Sequence, residues 1–167
     1  LGGAAFTLAL SGTNIGSGAV VTWDGSDRTT TYVSSTRLDA AIAASDLALG
    51  KAVPVVVRNA SGSLSNVLTF NVNNPVPTLG SIIPASATGG GPALTVTLQG
   101  TNFAPNAKVR WNGADRPTTY VGPAELQATL TDVDLSTPGP YAFSVSNPAP
   151  AGGVSASRTF NVSGFTI

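Results

Sequence analysis

The sequence says nearly the same thing twice. Gly12-Thr13-Asn14 returns 88 positions later as Gly100-Thr101-Asn102. Trp23-x-Gly25-x-Asp27-Arg28-x-Thr30-Thr31-Tyr32-Val33 returns at the same offset as Trp111-x-Gly113-x-Asp115-Arg116-x-Thr118-Thr119-Tyr120-Val121. The offset survives to Asn59 and Asn147, widens by two through residues 149–153, and the match resumes at Phe70-Asn71-Val72 and Phe160-Asn161-Val162. A period of about 90 is too long for a solenoid repeat and suits tandem small domains. Each copy therefore has to close its own core with roughly 80 residues, near the lower size at which one core suffices.

Inside each copy the hydrophobic pattern has period two. Phe6, Leu8 and Leu10 share one face against Thr7, Ala9 and Ser11, and Leu94, Val96 and Leu98 repeat this against Thr95, Thr97 and Gln99. Leu38, Ala40 and Ile42 match Leu126, Ala128 and Leu130, and Val53, Val55 and Val57 match Tyr141, Phe143 and Val145. Such alternation describes half-buried strands. A closing strand carries Leu68, Phe70 and Val72, matched by Arg158, Phe160 and Val162, with Arg158 predicted to mark a bulge or a strand end. Asp24-Gly25 and Asn112-Gly113 are two-residue hairpin signals. Residues 44–50 and 131–139 have room for one helical turn each, with Ser45 or Asp46 and Asp132 or Asp134 as candidate N-caps. The fold class is all-β: two tandem immunoglobulin-like β-sandwich domains.

Asn73-Asn74-Pro75-Val76-Pro77 reads as a stiff, extended link. The predicted domains are 1–74 and 75–167. Residues 78–84 form the opening strand of the second copy, followed by the triple-glycine loop 85–92. Only five residues precede Phe6, so the first domain is predicted to lack its opening strand, and its unpaired edge is an association hazard. Phe165 and Ile167 alternate and read as the start of a further segment. The chain does not begin with Met and is expected to be part of a longer polypeptide.

Eight Lys and Arg balance eight Asp and Glu, leaving no cationic excess for nucleic acid or an anionic membrane. No apolar run approaches the ~18 residues of a membrane span. Charged residues are 10% of the chain, against ~25% in typical domains, and 42% are hydrophobic. That composition gives a folded β protein with a neutral, Thr/Ser/Asn-rich surface rather than a disordered chain. Cys and His are absent, so Ser–His and Cys–His nucleophiles, disulfides and thiolate metal sites are excluded.

In combination these motifs resemble the IPT/TIG family of immunoglobulin-like domains, found in plexins and transcription factors. The second copy is the fuller match. Pro77-x-Leu79-x-x-Ile82-x-Pro84 resembles the family's opening segment, and Gly89-Gly90-Gly91 with Leu94-x-Val96-x-Leu98-x-Gly100-Thr101-Asn102-Phe103 resembles its glycine-strand-G-x-N-F signature. Val109-x-Trp111-x-Gly113, Val145-x-Asn147-Pro148 and the run from Ser155 to Phe160-x-Val162 complete it. The first copy carries the pattern from Phe6 onward, with Ile15 in place of Phe and Ala60 in place of Pro. The resemblance implies spacer, dimerisation or accessory domains. Tandem, Cys-free copies are most similar to those of bacterial secreted or surface proteins.

Candidate chemistry is sparse. Lys51 and Lys108 sit in no Ser–Lys motif, Glu125 is the only Glu, and the Asp residues fall at turns, so the reading is a non-enzyme with no catalytic residues. No cofactor or metal site is expected. Asp132 and Asp134 offer two of the six to eight oxygens that Ca²⁺ takes, and capping a turn is the preferred role. The sequons at Asn59 and Asn161 do not correspond between copies and are expected to stay unused. The candidate ligand or partner contacts are Trp23, Arg28 and Tyr32 with Trp111, Arg116 and Tyr120. Exposed indoles stack on sugar rings, but a Trp two residues from a Val on one strand face belongs to a sandwich core, and the core reading is preferred. Neighbours on a strand face opposite ways, so one of each Tyr–Val pair points out; if it is Tyr, Arg28 and Arg116 share its face.

The expected function is a non-catalytic structural, spacer or protein-interaction module of a secreted or cell-surface bacterial protein. Its expected partners are other domains of a longer chain, protein or glycan, with no nucleic acid and no membrane span. The alternative is a carbohydrate-binding accessory module of a polysaccharide-active enzyme, which requires exposed aromatic side chains.

Overall fold

The computed structural model describes residues 1–164, so the segment expected at Phe165 and Ile167 lies outside the described residues. The chain divides into two compact units, Leu1–Val72 and Asn73–Ile167. Each is an immunoglobulin-like sandwich, and the all-β reading holds throughout.

The first unit contributes β1 (Phe6–Ser11), β2 (Val20–Trp23), β3 (Ser26–Arg28), β4 (Thr30–Ser34), β5 (Arg37–Ile42), β6 (Lys51–Arg58) and β7 (Leu68–Val72). One sheet has the order β1-β5-β4 and the other β3-β2-β6-β7. The apolar faces meet as the alternation requires: Phe6 pairs with Ile42, Leu8 with Ala40 and Leu10 with Leu38 across β1 and β5. The core between the sheets contains Val21, Trp23, Leu38, Ala40, Ile42, Val53 and Val55.

The second unit contributes β8 (Thr78–Ile83), β9 (Ser86–Thr88), β10 (Leu94–Thr101), β11 (Lys108–Trp111), β12 (Ala114–Arg116), β13 (Thr118–Gly122), β14 (Glu125–Leu130), β15 (Gly139–Asn147), β16 (Gly153–Val154) and β17 (Arg158–Ser163). Its sheets have the orders β13-β14-β10-β8 and β12-β11-β15-β17-β9, with β16 on β15. Arg158 is the first residue of β17, the strand end its charge predicted.

The hairpins have the turn geometry their residues predicted. Asp24 and Gly25 have φ of 53° and 77°, and Asn112 and Gly113 have 46° and 82°. Positive φ at both central residues gives a turn whose twist matches the flanking strands. Beyond each hairpin the chain crosses to the other sheet. There the Thr30 hydroxyl donates to the Arg28 carbonyl (2.8 Å) and accepts from the Val21 N–H (3.0 Å). Thr118 repeats both bonds with Arg116 and Val109.

Three expectations are corrected. Residues 85–92 are not all loop, because Ser86–Thr88 pairs in parallel with β17, so the opening segment serves both sheets of the second unit. A three-residue strand inside a glycine-rich stretch is too short to show a period. The helical turns are also capped differently. A 3-10 turn spans Ala44–Leu47 with Ala43 at its N-cap, and Asp46 is the third turn residue, accepting the Ala43 N–H at 3.0 Å. In the second unit Thr131 and Asp134 cap one another reciprocally. Finally, the first Tyr–Val pair does not alternate, since Tyr32 and Val33 are both exposed, whereas in the second Tyr120 packs on its core and Val121 faces out as expected. The β4–β5 register shifts between Tyr32 and Ser34, and the β13–β14 register between Tyr120 and Gly122. A bulge adds one residue to one strand and resets its facing.

Candidate functional site

Trp23 and Trp111 lie inside the two cores, 1% and 4% exposed. Trp23 packs on Phe70 with ring centroids 5.0 Å apart, and Trp111 packs on Tyr141, Phe143 and Phe160. Their strands face the opposite sheet, so neither indole offers a stacking face to a sugar. Each side chain has been taken up by core packing.

The Arg–Tyr patch does not form. Arg28 makes a two-pronged contact with Asp46, Nε to Oδ2 at 3.0 Å and Nη2 to Oδ1 at 2.7 Å. Arg116 holds Asp134 in the same way. No ring contact joins either Arg to Tyr32 or Tyr120 among the described residues. Because of the bulge, Tyr32 and Val33 are both exposed, at 41% and 50%. Tyr120 is half-buried and leans on its core.

The Arg–Asp pairs were missed by sequence reasoning, although both members recur at the 88-residue offset. Each ties the hairpin strand to the short turn after β5 or β14. Both carboxyls sit below the ordinary carboxylate value. For Asp46 the Arg28 hydrogen bond is the largest cause, acting against burial and assisted by the Ala43 N–H. For Asp134 burial is the largest influence and pushes the carboxyl up; bonds from Arg116 and Thr131 together outweigh it. These are braces charged at neutral pH rather than acids or bases poised near neutrality.

A second recurring brace was also missed. Asn147, 2% exposed, accepts the Ala104 N–H (3.1 Å) and donates to the carbonyls of Pro75 (2.9 Å) and Asn102 (2.6 Å). Asn59 accepts the Gly16 N–H (3.0 Å) and donates to Asn14 (3.3 Å). This bonding gives the V-x-N spacing its structural meaning.

A concavity of ≈ 440 Å³ lies in the first unit, a cleft along β1, β6 and the loop before β7. A smaller one of ≈ 190 Å³ continues between β1 and β7. Their walls include Leu8, Leu10, Val55, Val57, Leu68 and Phe70, and no charged side chain lines either. No group of three or more metal-ligating side chains occurs among the described residues. No helix of the described residues is long and apolar enough to cross a membrane.

The family model for the IPT/TIG domain matches residues 77–162. No curated protein matches the chain in sequence. Among solved structures, the chain is similar to the SGBP-B protein of a Bacteroides ovatus mixed-linkage glucan utilization locus, in complex with a mixed-linkage heptasaccharide. That match has 20% identity and a TM-score of 0.38, covering 95% of this chain and 43% of the other. It is also similar to the plexin A4 extracellular region at 17% identity and TM-score 0.33, covering 83% of this chain and 13% of that one. A complex of Dpr11 IG1 with DIP-gamma matches at 16% identity and TM-score 0.40, covering 98% and 92%. The chain thus spans less than half of the first two proteins.

Proposed function

The chain belongs to the IPT/TIG domain family, and from that premise we propose that both halves are copies of this domain, forming a non-catalytic spacer or protein-interaction module. The carrying observation is that three side-chain braces occur twice at equivalent positions. Arg28–Asp46 matches Arg116–Asp134, Thr30 matches Thr118, and Asn59 matches Asn147. The polar residues that stand out in the sequence are used to hold loops in place. What they build is two rigid bodies with neutral surfaces, suited to joining other domains of a longer chain.

The setting we propose is a secreted or cell-surface bacterial protein. The Cys-free, charge-poor, Thr/Ser-rich composition supports it. The carbohydrate-binding alternative loses its main support with the burial of both indoles.

Single-molecule pulling on the full chain tests the spacer reading. Two separate unfolding steps are expected, each releasing roughly 20–30 nm at ~3.5 Å per residue. A single step releasing the whole length would contradict two self-contained bodies. A parallel glycan array should stay silent; saturable binding to a polysaccharide would favour the alternative.

A further inference from the structure

Between its V-x-N asparagine and its closing Phe, the second copy is two residues longer than the first, and the extra length falls in residues 149–153. In the first copy this stretch closes on itself. The Gly62 N–H donates to the Asn59 carbonyl (2.8 Å), and the Asn59 N–H donates to the Ser63 carbonyl (2.9 Å). In the second copy it turns instead towards the segment that precedes β8. All the contacts that follow lie within the second unit, Asn73–Ile167.

Asn74 is the residue taken hold of, and it is 2% exposed. Its N–H donates to the Pro150 carbonyl (2.9 Å), and its own carbonyl accepts from the Gly152 N–H (2.8 Å). Together these bonds make a parallel bridge between Asn74 and Ala151. The side-chain Nδ2 donates to the Pro148 carbonyl (2.9 Å). The next two residues are held as well. The Pro75 carbonyl accepts from Asn147 Nδ2 (2.9 Å), and the Val76 carbonyl accepts from Asn102 Nδ2 (3.3 Å).

The loop takes an unusual backbone to reach Asn74. Ala151, Gly152 and Gly153 have φ of 52°, 68° and 133°. A residue with a Cβ seldom adopts positive φ, and does so where its surroundings over-determine it. A Cβ on Gly152 would lie 2.3 Å from the Pro148 carbonyl oxygen and 2.5 Å from that of Asn147. Glycine is therefore needed to fold the loop tightly enough to aim the Gly152 N–H at Asn74. A Cβ on Gly153 would meet Val76 Cγ2 at 3.6 Å, so Val76 sits directly against the loop. The shorter turn of the first copy joins the same two strands without any of this.

We propose that residues 148–153 are a clamp and that Asn74 is the positioning residue it acts on. The clamp makes residues 74–77 a rigid extension of the second unit. Pro75 and Pro77 stiffen the backbone only locally, whereas the clamp ties it to a folded body. β7 ends at Val72, so the held segment begins two residues beyond that strand. A spacer built on this chain has no slack from Asn74 onward, and any bending lies N-terminal to it. The use made of the clamp rests on the spacer reading; its geometry does not.

The test is amide exchange and ¹⁵N relaxation on the full ¹⁵N-labelled chain. The Asn74 and Gly152 amides should exchange roughly a hundredfold more slowly than in an unfolded chain. Asn74 and Val76 should have order parameters of about 0.85. Gly152→Ala should speed exchange at Asn74 by about tenfold or more, and Asn74→Ala should do the same at Gly152, with Val96 and Leu98 unchanged in both. An order parameter below about 0.6 at Asn74 in the unaltered chain would overturn the proposal. So would unchanged exchange in either variant, or a loss of protection shared equally by Val96 and Leu98. The pulling experiment judges the spacer reading separately, because neither amide readout depends on it.

Discussion

Asn147→Ala should be far more damaging than Asn59→Ala, although the two asparagines hold equivalent places. Asn147 is 2% exposed, and its removal strands the N–H of fully buried Ala104 and two carbonyls that accept at 2.9 and 2.6 Å. A buried donor left without a partner costs about 1–3 kcal/mol, and a stranded carbonyl somewhat less. The sum is about 3 kcal/mol for the second unit. At ~4–8 °C per kcal/mol for a domain of this size, its Tm should fall by roughly 12–24 °C. Asn59 makes two bonds in an exposed setting, so water replaces the lost partners and the first unit should lose only about 1 kcal/mol. The chain has two Trp, one in each unit, so the two indole N–H resonances report the units separately through a thermal melt. Equal shifts for the two variants would refute this reasoning, because burial would then not set the cost.

The acid limb of stability should depend on the Arg–Asp braces. A carboxyl held below its ordinary 3.8 in the folded state stabilises the fold above that pH, and the contribution is lost as pH falls through the lowered value. Asp134→Asn should therefore lower the second unit's Tm at pH 7 and flatten its decline below pH 4, as read by calorimetry from pH 7 to 2. Gly100→Ala should cost the second unit about 2 kcal/mol or more, since the new methyl displaces the Thr78 carbonyl and with it the seating of Leu79. Calorimetry on Gly100→Ala and Gly12→Ala side by side should show a large loss for the first and a near-neutral change for the second.

Period-two alternation exposed the strand faces because each sheet has one buried side, and Asp-Gly and Asn-Gly exposed the hairpins because few residue pairs tolerate two positive φ values. The burial of Trp23 and Trp111 was readable from Val21 and Val109 on the same face. What escaped were features made by the crossing of sheets. Arg28 and Asp46 are 18 residues apart and meet only because β4 and β5 return the chain beside the hairpin. The bulge near Val33 leaves no mark in composition, and there both neighbours face out. The absence of an opening strand was legible at once. That Leu8, Leu10, Val57 and Phe70 are more open than Val96, Leu98, Val145 and Phe160 required the second copy in three dimensions.

Amide hydrogen exchange along β1 and β10 tests the central claim, that the two units share one fold, with β10 paired on both sides and β1 paired with β5 alone among the described residues. Gly12 and Gly100 donate inward to the Thr36 and Ala124 carbonyls, so strand alternation turns the amides of Ala9 and Ser11, like those of Thr97 and Gln99, to the opposite side. In the second unit that side meets β8. The expected result is strong protection at Thr97 and Gln99 with near-random-coil exchange at Ala9 and Ser11, while Leu8 and Leu10 stay protected by β5. Equal protection at all four outward positions would contradict that difference in pairing, and no protection at Leu8 and Leu10 would contradict the fold of the first unit itself.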